Sequence, residues 1–326
     1  MIETDPKQLE ICVVGVGGSG CNTVTRLMGD RELSRHSNVR VLGLNTDSAA
    51  LKAMKIPRKL VIGESSVTRG LGAGARPLIG KLAAEESMDE ILGEIGSPDL
   101  LILTCGLGGG TGTGGLPTIA NAIRSRDKDM LILSMVTMPF IAEGMTRLTS
   151  ARLGFREAYD LSDMTIVQFN DFLLQVASKI PMSTAFRMMD RILSDMITHL
   201  IRITETVGVI NIDFADFKTA TKNVGLGFVG LGSATTAFEA AEDAFSNRLI
   251  DVDLTEAKTL LLNITGPHAL NLDEVERIPS EITGKYSIGN VLLGIRLMDL
   301  PQPEVFVIAG GIHSKMLEDF CGIPYR

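Results

Sequence analysis

The chain has 326 residues, a formal net charge of −8 and a hydrophobic fraction of 45%. That length predicts two domains with a sizeable core, and the acidic balance excludes nucleic acid as the main partner. The longest nearly apolar stretch, residues 130–142, holds Ser134, Thr137 and Pro139 and is too short for direct membrane insertion, and the polar start does not read as a signal peptide, so a cytoplasmic location is expected. Apolar runs predict strands at 10–16, 39–44, 60–62, 100–105, 130–136 and 164–168, with helices at 22–28, 78–92, 116–126 and 147–161 between them. Runs buried on both faces, alternating with helices, are the pattern of a doubly wound parallel α/β sheet. From Ser183 apolar residues recur at helical spacing for about twenty residues, roughly 30 Å of helix, ending near Gly208 as an expected C-cap. A second unit follows, with helices at 215–222, 236–247 and 273–282 and strands at 225–232, 259–264, 288–298 and 304–309. The expected division is a nucleotide-binding domain at 1–180, a core helix at 181–207, a smaller α+β domain at 208–318 and a short tail at 319–326.

Two glycine-rich loops follow strands and precede helices. Residues 106–114 read GLGGGTGTG, and a linker would not be framed by a buried strand and a helix. Glycine N–H groups leading into a helix N-terminus cradle phosphate, and the hydroxyls of Thr111 and Thr113 would add donors or a contact to Mg²⁺. Residues 15–20 read GVGGSG, which fits the dinucleotide fingerprint and admits a NAD-dependent oxidoreductase. The acidic residue that fingerprint expects comes late, in Asn45-Thr46-Asp47, and one dinucleotide has no use for a second phosphate loop. A P-loop motif is absent from the sequence. Two such loops point instead to one ligand with several phosphates gripped from several strand ends. Cys12, Cys21, Cys105 and Cys321 form no C-x-x-C pair and the histidines are scattered, so reduced thiols and no zinc site are expected.

Gly108-Gly109-Gly110-Thr111-Gly112-Thr113-Gly114 resembles the signature loop of the tubulin/FtsZ superfamily of GTPases. Asn211-Ile212-Asp213-Phe214-Ala215-Asp216 resembles the FtsZ form of its catalytic loop, and the order of the motifs is most similar to archaeal FtsZ. The resemblance implies a first phosphate loop with Gly17, Gly18, Ser19 and Asn22, a second with Asn45 and Asp47, and a third, sensing the γ-phosphate, at Gly72, Ala73, Gly74 and Ala75. It implies a ribose loop at Pro139, Glu143 and Arg147 and a guanine pocket at Asn170, Phe186 and Asp190. Arg76 departs from the family, which usually has Asn there. The resemblance also implies GTP or GDP as ligand, with Mg²⁺ held mainly by phosphates rather than by a protein-only motif. It implies a GTPase polymerising head to tail into filaments at the division site, with Asn211, Asp213 and Asp216 completing the active site of the neighbouring subunit.

The residue chemistry is compatible with those roles and with plainer ones. A carboxylate such as Asp190 accepts the two N–H groups on one edge of guanine, an edge adenine lacks. Phe186 stacks on a base or fills core. Glu143 and Arg147, four apart, form an intrahelical ion pair or hold ribose and phosphate. Asp213 and Asp216 share a face at a helix start, where the helix dipole favours acids. A GTP-bound scaffold with little hydrolysis remains a separate reading. Phe320, Ile323, Pro324 and Tyr325 form a terminal apolar cluster that is a frayed end or, by the resemblance, a docking peptide for a membrane-tethering adaptor.

Overall fold

Alternate residues of β1 (Ile11–Val16) face opposite sides of a sheet: Ile11 and Val13 join one apolar cluster, Cys12, Val14 and Val16 another. The computed structural model describes residues 9–30, 33, 36–172, 181–205, 208–246, 250–255, 257–289 and 291–321. Within them β2 (Val39–Asn45), β3 (Arg58–Val61), β4 (Leu100–Gly106), β5 (Leu131–Met138) and β6 (Met164–Phe169) run parallel to β1. The sheet then continues into the second half of the chain. β7 (Gly225–Ser233) pairs parallel with β6, Met164 opposite Gly225, and antiparallel with β10 (Glu304–Gly310). β8 (Thr259–Gly266) and β9 (Val291–Leu297) complete one ten-stranded sheet in the order β3-β2-β1-β4-β5-β6-β7-β10-β8-β9.

Helices cover both faces, as the doubly wound expectation requires. In chain order they are α1 (Gly17–Leu27), α2 (Ser48–Ala53), α3 (Pro77–Glu86), α4 (Met88–Ile95), α5 (Thr111–Arg126), α6 (Met145–Leu161), α7 (Met182–Glu205), α8 (Phe214–Thr221), α9 (Ala237–Ser246), α10 (Leu272–Tyr286) and α11 (Lys315–Cys321). α1, α2, α7 and α8 bury Val24, Leu51, Ile197 and Phe217 on the Ile11 face, and the other helices pack on the Cys12 face. The four cysteines are buried and free, and burial pushes the Cys12 and Cys21 thiols up to about 12.

Several boundaries differ from the sequence expectation for local reasons. α1 and α5 begin at Gly17 and Thr111, inside the glycine loops rather than after them. Glycine's poor helix propensity is overridden by contact there: a Cβ on Gly20 would run into the Thr104 carbonyl oxygen, and one on Gly114 into that of Pro77. The expected helix at 78–92 is two helices broken at Ser87, whose Oγ accepts from the Gly63 N–H at 2.9 Å. Gly208 permits close approach to the Ile295 carbonyl, which a Cβ would strike; the residues that join it to α7 lie outside the described ones. β9 starts at Val291, not 288, because Ser287 turns the chain at φ 55° after α10. α2 and α11 were not anticipated. In α11 Phe320 packs edge-on against Phe169 at 5.7 Å with Arg152 over its ring at 5.5 Å, so Phe320 belongs to the fold rather than to a free docking cluster. Ile323, Pro324 and Tyr325 lie outside the described residues.

Candidate nucleotide site

The strand order reverses between β2 and β4, on either side of β1. In an open parallel sheet the carboxyl ends at such a switch point leave a crevice. Both glycine loops leave the sheet there and touch: a Cβ on Gly17 would lie 3.0 Å from the Gly112 nitrogen, and one on Gly106 2.8 Å from the Ser19 Cβ. A cavity of about 400 Å³ opens over this contact.

The first loop and the start of α1 contribute Gly17, Gly18, Ser19 and Asn22 to its lining, and the loop at 106–114, the fourth in chain order, contributes Gly109, Gly110, Thr111 and Gly112. A Cβ on Gly18 or Gly109 would meet no atom within 4 Å, so the space beside both backbones is open to a ligand. The N-termini of α1 and α5 carry unpaired backbone donors and the positive ends of their dipoles, which favour an anion.

Pro139, Glu143 and Arg147 line another part of the wall. Glu143 accepts from the Phe140 N–H at 2.9 Å and from Arg147 at 2.6 Å, so the plain i,i+4 ion pair is present, joining the short turn at Ile141–Glu143 to α6. Gly144, at φ 95°, turns this segment into α6. Asn170, Phe186 and Asp190 line a third part, with Met189 beside them. Phe186 is 41% exposed and meets Phe140 edge-to-face at 5.3 Å, so it is a wall residue and not core.

Two features of this third part fit a base with paired donors. The Asn170 carboxamide oxygen is buried with no hydrogen-bond partner. An orphaned buried acceptor is costly and is satisfied by a ligand N–H. Asp190 is 8% exposed, and burial pushes its carboxyl up to about 6, against the pull of Arg26 at 3.8 Å.

The other predicted residues do not line the cavity. The Asn45 carboxamide accepts from the Asp47 N–H at 3.4 Å, and Asp47 caps α2 by accepting from the Ala50 N–H at 2.9 Å. The Gly72 N–H donates to the Thr46 carbonyl at 3.0 Å, joining the third loop to the second. That third loop, with Ala73, Gly74 and Ala75, abuts the fourth: a Cβ on Gly110 would lie 2.7 Å from the Ala73 Cβ. The threonine hydroxyls hold loops together. Thr113 Oγ1 accepts from the Gly108 N–H at 2.9 Å, which fixes Gly108 at φ 93°, and Thr111 Oγ1 bonds Thr46 Oγ1 at 2.6 Å. Thr113 and Gly114 therefore shape the loop without lining the cavity. Thr137 and Met189 do line it and were missed; Thr137 was findable as the last polar position at the carboxyl end of β5.

Asn211, Asp213 and Asp216 are exposed and lie outside this cavity. Asp190 stands in the first half of α7 and the acidic loop follows its end, about 22 Å or more further along at 1.5 Å per residue. The Asn211 carboxamide accepts from the Gly208 N–H, an Ile210–Ile295 bridge pins the loop to β9, and Asp213 caps α8 by accepting from the Asp216 N–H at 2.7 Å. The loop is thus built before any substrate meets it. Among the described residues no group of three or more His, Cys, Asp or Glu could hold a metal ion. A Mg²⁺ that keeps its waters and takes phosphate oxygens needs no such cage.

Comparison with known proteins agrees with this geometry. A family model described as the GTPase domain of the tubulin/FtsZ family matches residues 10–178, and one described as the FtsZ C-terminal domain matches residues 225–313. The chain is 39% identical over 315 residues to the cell division protein FtsZ 1 of Pyrococcus horikoshii, covering 94% of this chain and 82% of that protein. It is 39% identical over 321 residues to that of Archaeoglobus fulgidus, covering 96% and 85%. The solved empty FtsZ dimer of M. jannaschii superposes with a TM-score of 0.84 at 33% identity, over 94% of this chain and 89% of that one. CetZ2 of Haloferax volcanii, solved as a GTPγS-bound protofilament, gives 0.84 at 20% identity over 96% and 97%, a likeness of fold alone.

Proposed function

This chain belongs to the FtsZ family, and we propose that it binds GTP in the cavity, polymerises head to tail and hydrolyses GTP between subunits. Asp190 and Asn170 read the guanine edge, the glycine loops and two helix N-termini hold the phosphates, and Glu143 with Arg147 faces the ribose. A Mg²⁺ taken up with the nucleotide would supply further charge neutralisation there, with no side-chain cage of this chain required. Hydrolysis needs a water held in line with the γ-phosphate and polarised. Asp213 and Asp216 of the next copy supply the carboxylates for that water, and backbone N–H groups of the glycine loops take up the developing charge.

One observation carries this reading: the acidic loop sits at the far end of α7 from the cavity, so the two halves of the site meet only between copies. Exposed apolar residues occur at both ends. Leu71 (84%) and Ile141 (66%) stand near the cavity, Val209 (66%) and Ile210 (44%) beside the acidic loop. A contact joining two different surfaces does not close on itself and builds a filament. That its relatives are cell division proteins, and that FtsZ of M. jannaschii was solved as a dimer, support a role in a division-site ring. A membrane-tethering adaptor would have to engage residues beyond Cys321, since Phe320 is already packed.

The test is light scattering of the purified chain with GTP, GDP or ATP. Assembly is expected with GTP alone. Equal scattering with all three, or none with GTP, would contradict the reading.

A further inference from the structure

Most cations around the cavity are already neutralised. Arg147 pairs with Glu143 at 2.6 Å, Arg26 with Asp190 at 3.8 Å, and Lys81 with Glu85 at 4.0 Å. The third loop is different. Arg69 and Arg76 are exposed and neither has an ion-pair partner among the described residues. Of the two, Arg76 is closer to the chemistry. A Cβ on Gly110, a lining residue, would lie 2.9 Å from the Arg76 backbone nitrogen. Its side chain does not line the cavity: Nε lies 3.9 Å from where a Cβ on Gly74 would stand, so the guanidinium follows the third loop along the rim.

The opposite end of the molecule has the complementary vacancy of charge. Asp213 commits one carboxylate oxygen to the Asp216 N–H. The Asp216 carboxylate itself is exposed and has no hydrogen-bond or ion-pair partner among the described residues. An isolated cation at the rim and an isolated carboxylate on the loop that must meet that rim are matched in sign.

Resting on the head-to-tail reading, we infer that Arg76 of one copy receives Asp216 of the next. Arg76 is then a positioning residue. One oxygen of Asp216 accepts from the guanidinium, the other stays free toward the attacking water, and the loop is held so that Asp213 faces the γ-phosphate. Desolvation at the contact strengthens the pair relative to an exposed one, and salt weakens it.

The experiment measures the critical concentration for GTP-driven sedimentation at two ionic strengths, and GTP binding to dilute subunits. The chains are the wild type, Arg76→Glu, Arg76→Lys, Asp216→Arg and the double variant R76E/D216R. Arg76→Glu should raise the critical concentration roughly tenfold and reduce its dependence on salt, while Arg76→Lys stays within about twofold. The double variant should recover assembly toward the wild type without recovering turnover, because Asp216 is lost from the water site. GTP affinity of dilute Arg76→Glu should match the wild type, which also shows that it folds. Unchanged assembly of Arg76→Glu overturns the inference while leaving the proposed function intact. So does a double variant no better than the worse single one, or a GTP affinity that falls with assembly. A wild-type chain that fails to assemble removes the underlying reading and this one with it.

Discussion

The two ends of α7 are built on opposite terms. Around Met189 and Asp190 the chain has buried polar groups it cannot satisfy alone: an orphaned carboxamide oxygen on Asn170 and a carboxyl raised to about 6. After Glu205 the polar groups are exposed: Asn211 is bonded to Gly208 and Asp213 to the Asp216 N–H, while the Asp216 carboxylate has no partner among the described residues. The first region offers buried acceptors to a ligand. The second is tied to its own backbone and lies outside the cavity. Under the proposed function, binding and chemistry should therefore respond to mutations at different ends of the helix.

The largest effect should come from the exposed end. Asp213→Ala should leave GTP affinity of the dilute subunit unchanged and lower turnover by a factor on the order of 10² or more, as expected for loss of water activation. Mixed into wild-type protein, it should depress turnover beyond simple dilution. Loss of GTP binding in this variant would erase the distinction between the two ends.

Asp190→Ala should act at the other end and on affinity. A lost charge-assisted pairing costs on the order of 1–3 kcal/mol, or roughly ten- to a hundredfold weaker GTP binding. Discrimination against ATP should fall with it. Calorimetric titration with each nucleotide checks this, and an unchanged GTP-to-ATP ratio would contradict the assignment.

A pH series sharpens the same point. Guanine's two N–H groups need the ionised carboxylate, so nucleotide and proton compete for Asp190, and binding lowers its pKa. Affinity should be full above about pH 7 and fall as pH drops through 6, approaching tenfold per unit. Asp190→Asn should bind more weakly and lose that slope. An identical slope in the Asn variant would place the titration elsewhere.

The smallest effect concerns the scaffold. Thr113→Val leaves the Gly108 N–H without its acceptor and should cost on the order of 1–3 kcal/mol of stability. Thermal unfolding reads it directly. A variant as stable as the wild type, with GTP binding lost, would mean the hydroxyl touches ligand rather than loop.

What could be read from the sequence follows from what each residue answers to. β1, β4 and β5 are legible because burial on both faces favours apolar residues at most positions. The glycine loops are legible as phosphate cradles because few other structures need glycine at such density. The starts of α1 and α5 are not legible, since local propensity argues against helix at Gly17–Gly20 and Gly112–Gly115, and only contacts with distant backbone settle it. The break at Ser87 depends on Gly63, a residue far away in sequence. The cap that Asp47 forms on α2 and the bond from the Gly108 N–H to Thr113 are not legible either, because a hydroxyl or carboxylate in such a loop suits a ligand as well as the backbone.

The central claim is that no single copy holds a complete site. Phosphate release from GTP, measured against total protein from nanomolar to micromolar, tests it most directly. Turnover per subunit should be near zero in dilute protein and rise as filaments form, because an interface populates only by mass action. A straight line through the origin, with constant specific activity down to nanomolar protein, would show that one chain carries the whole site.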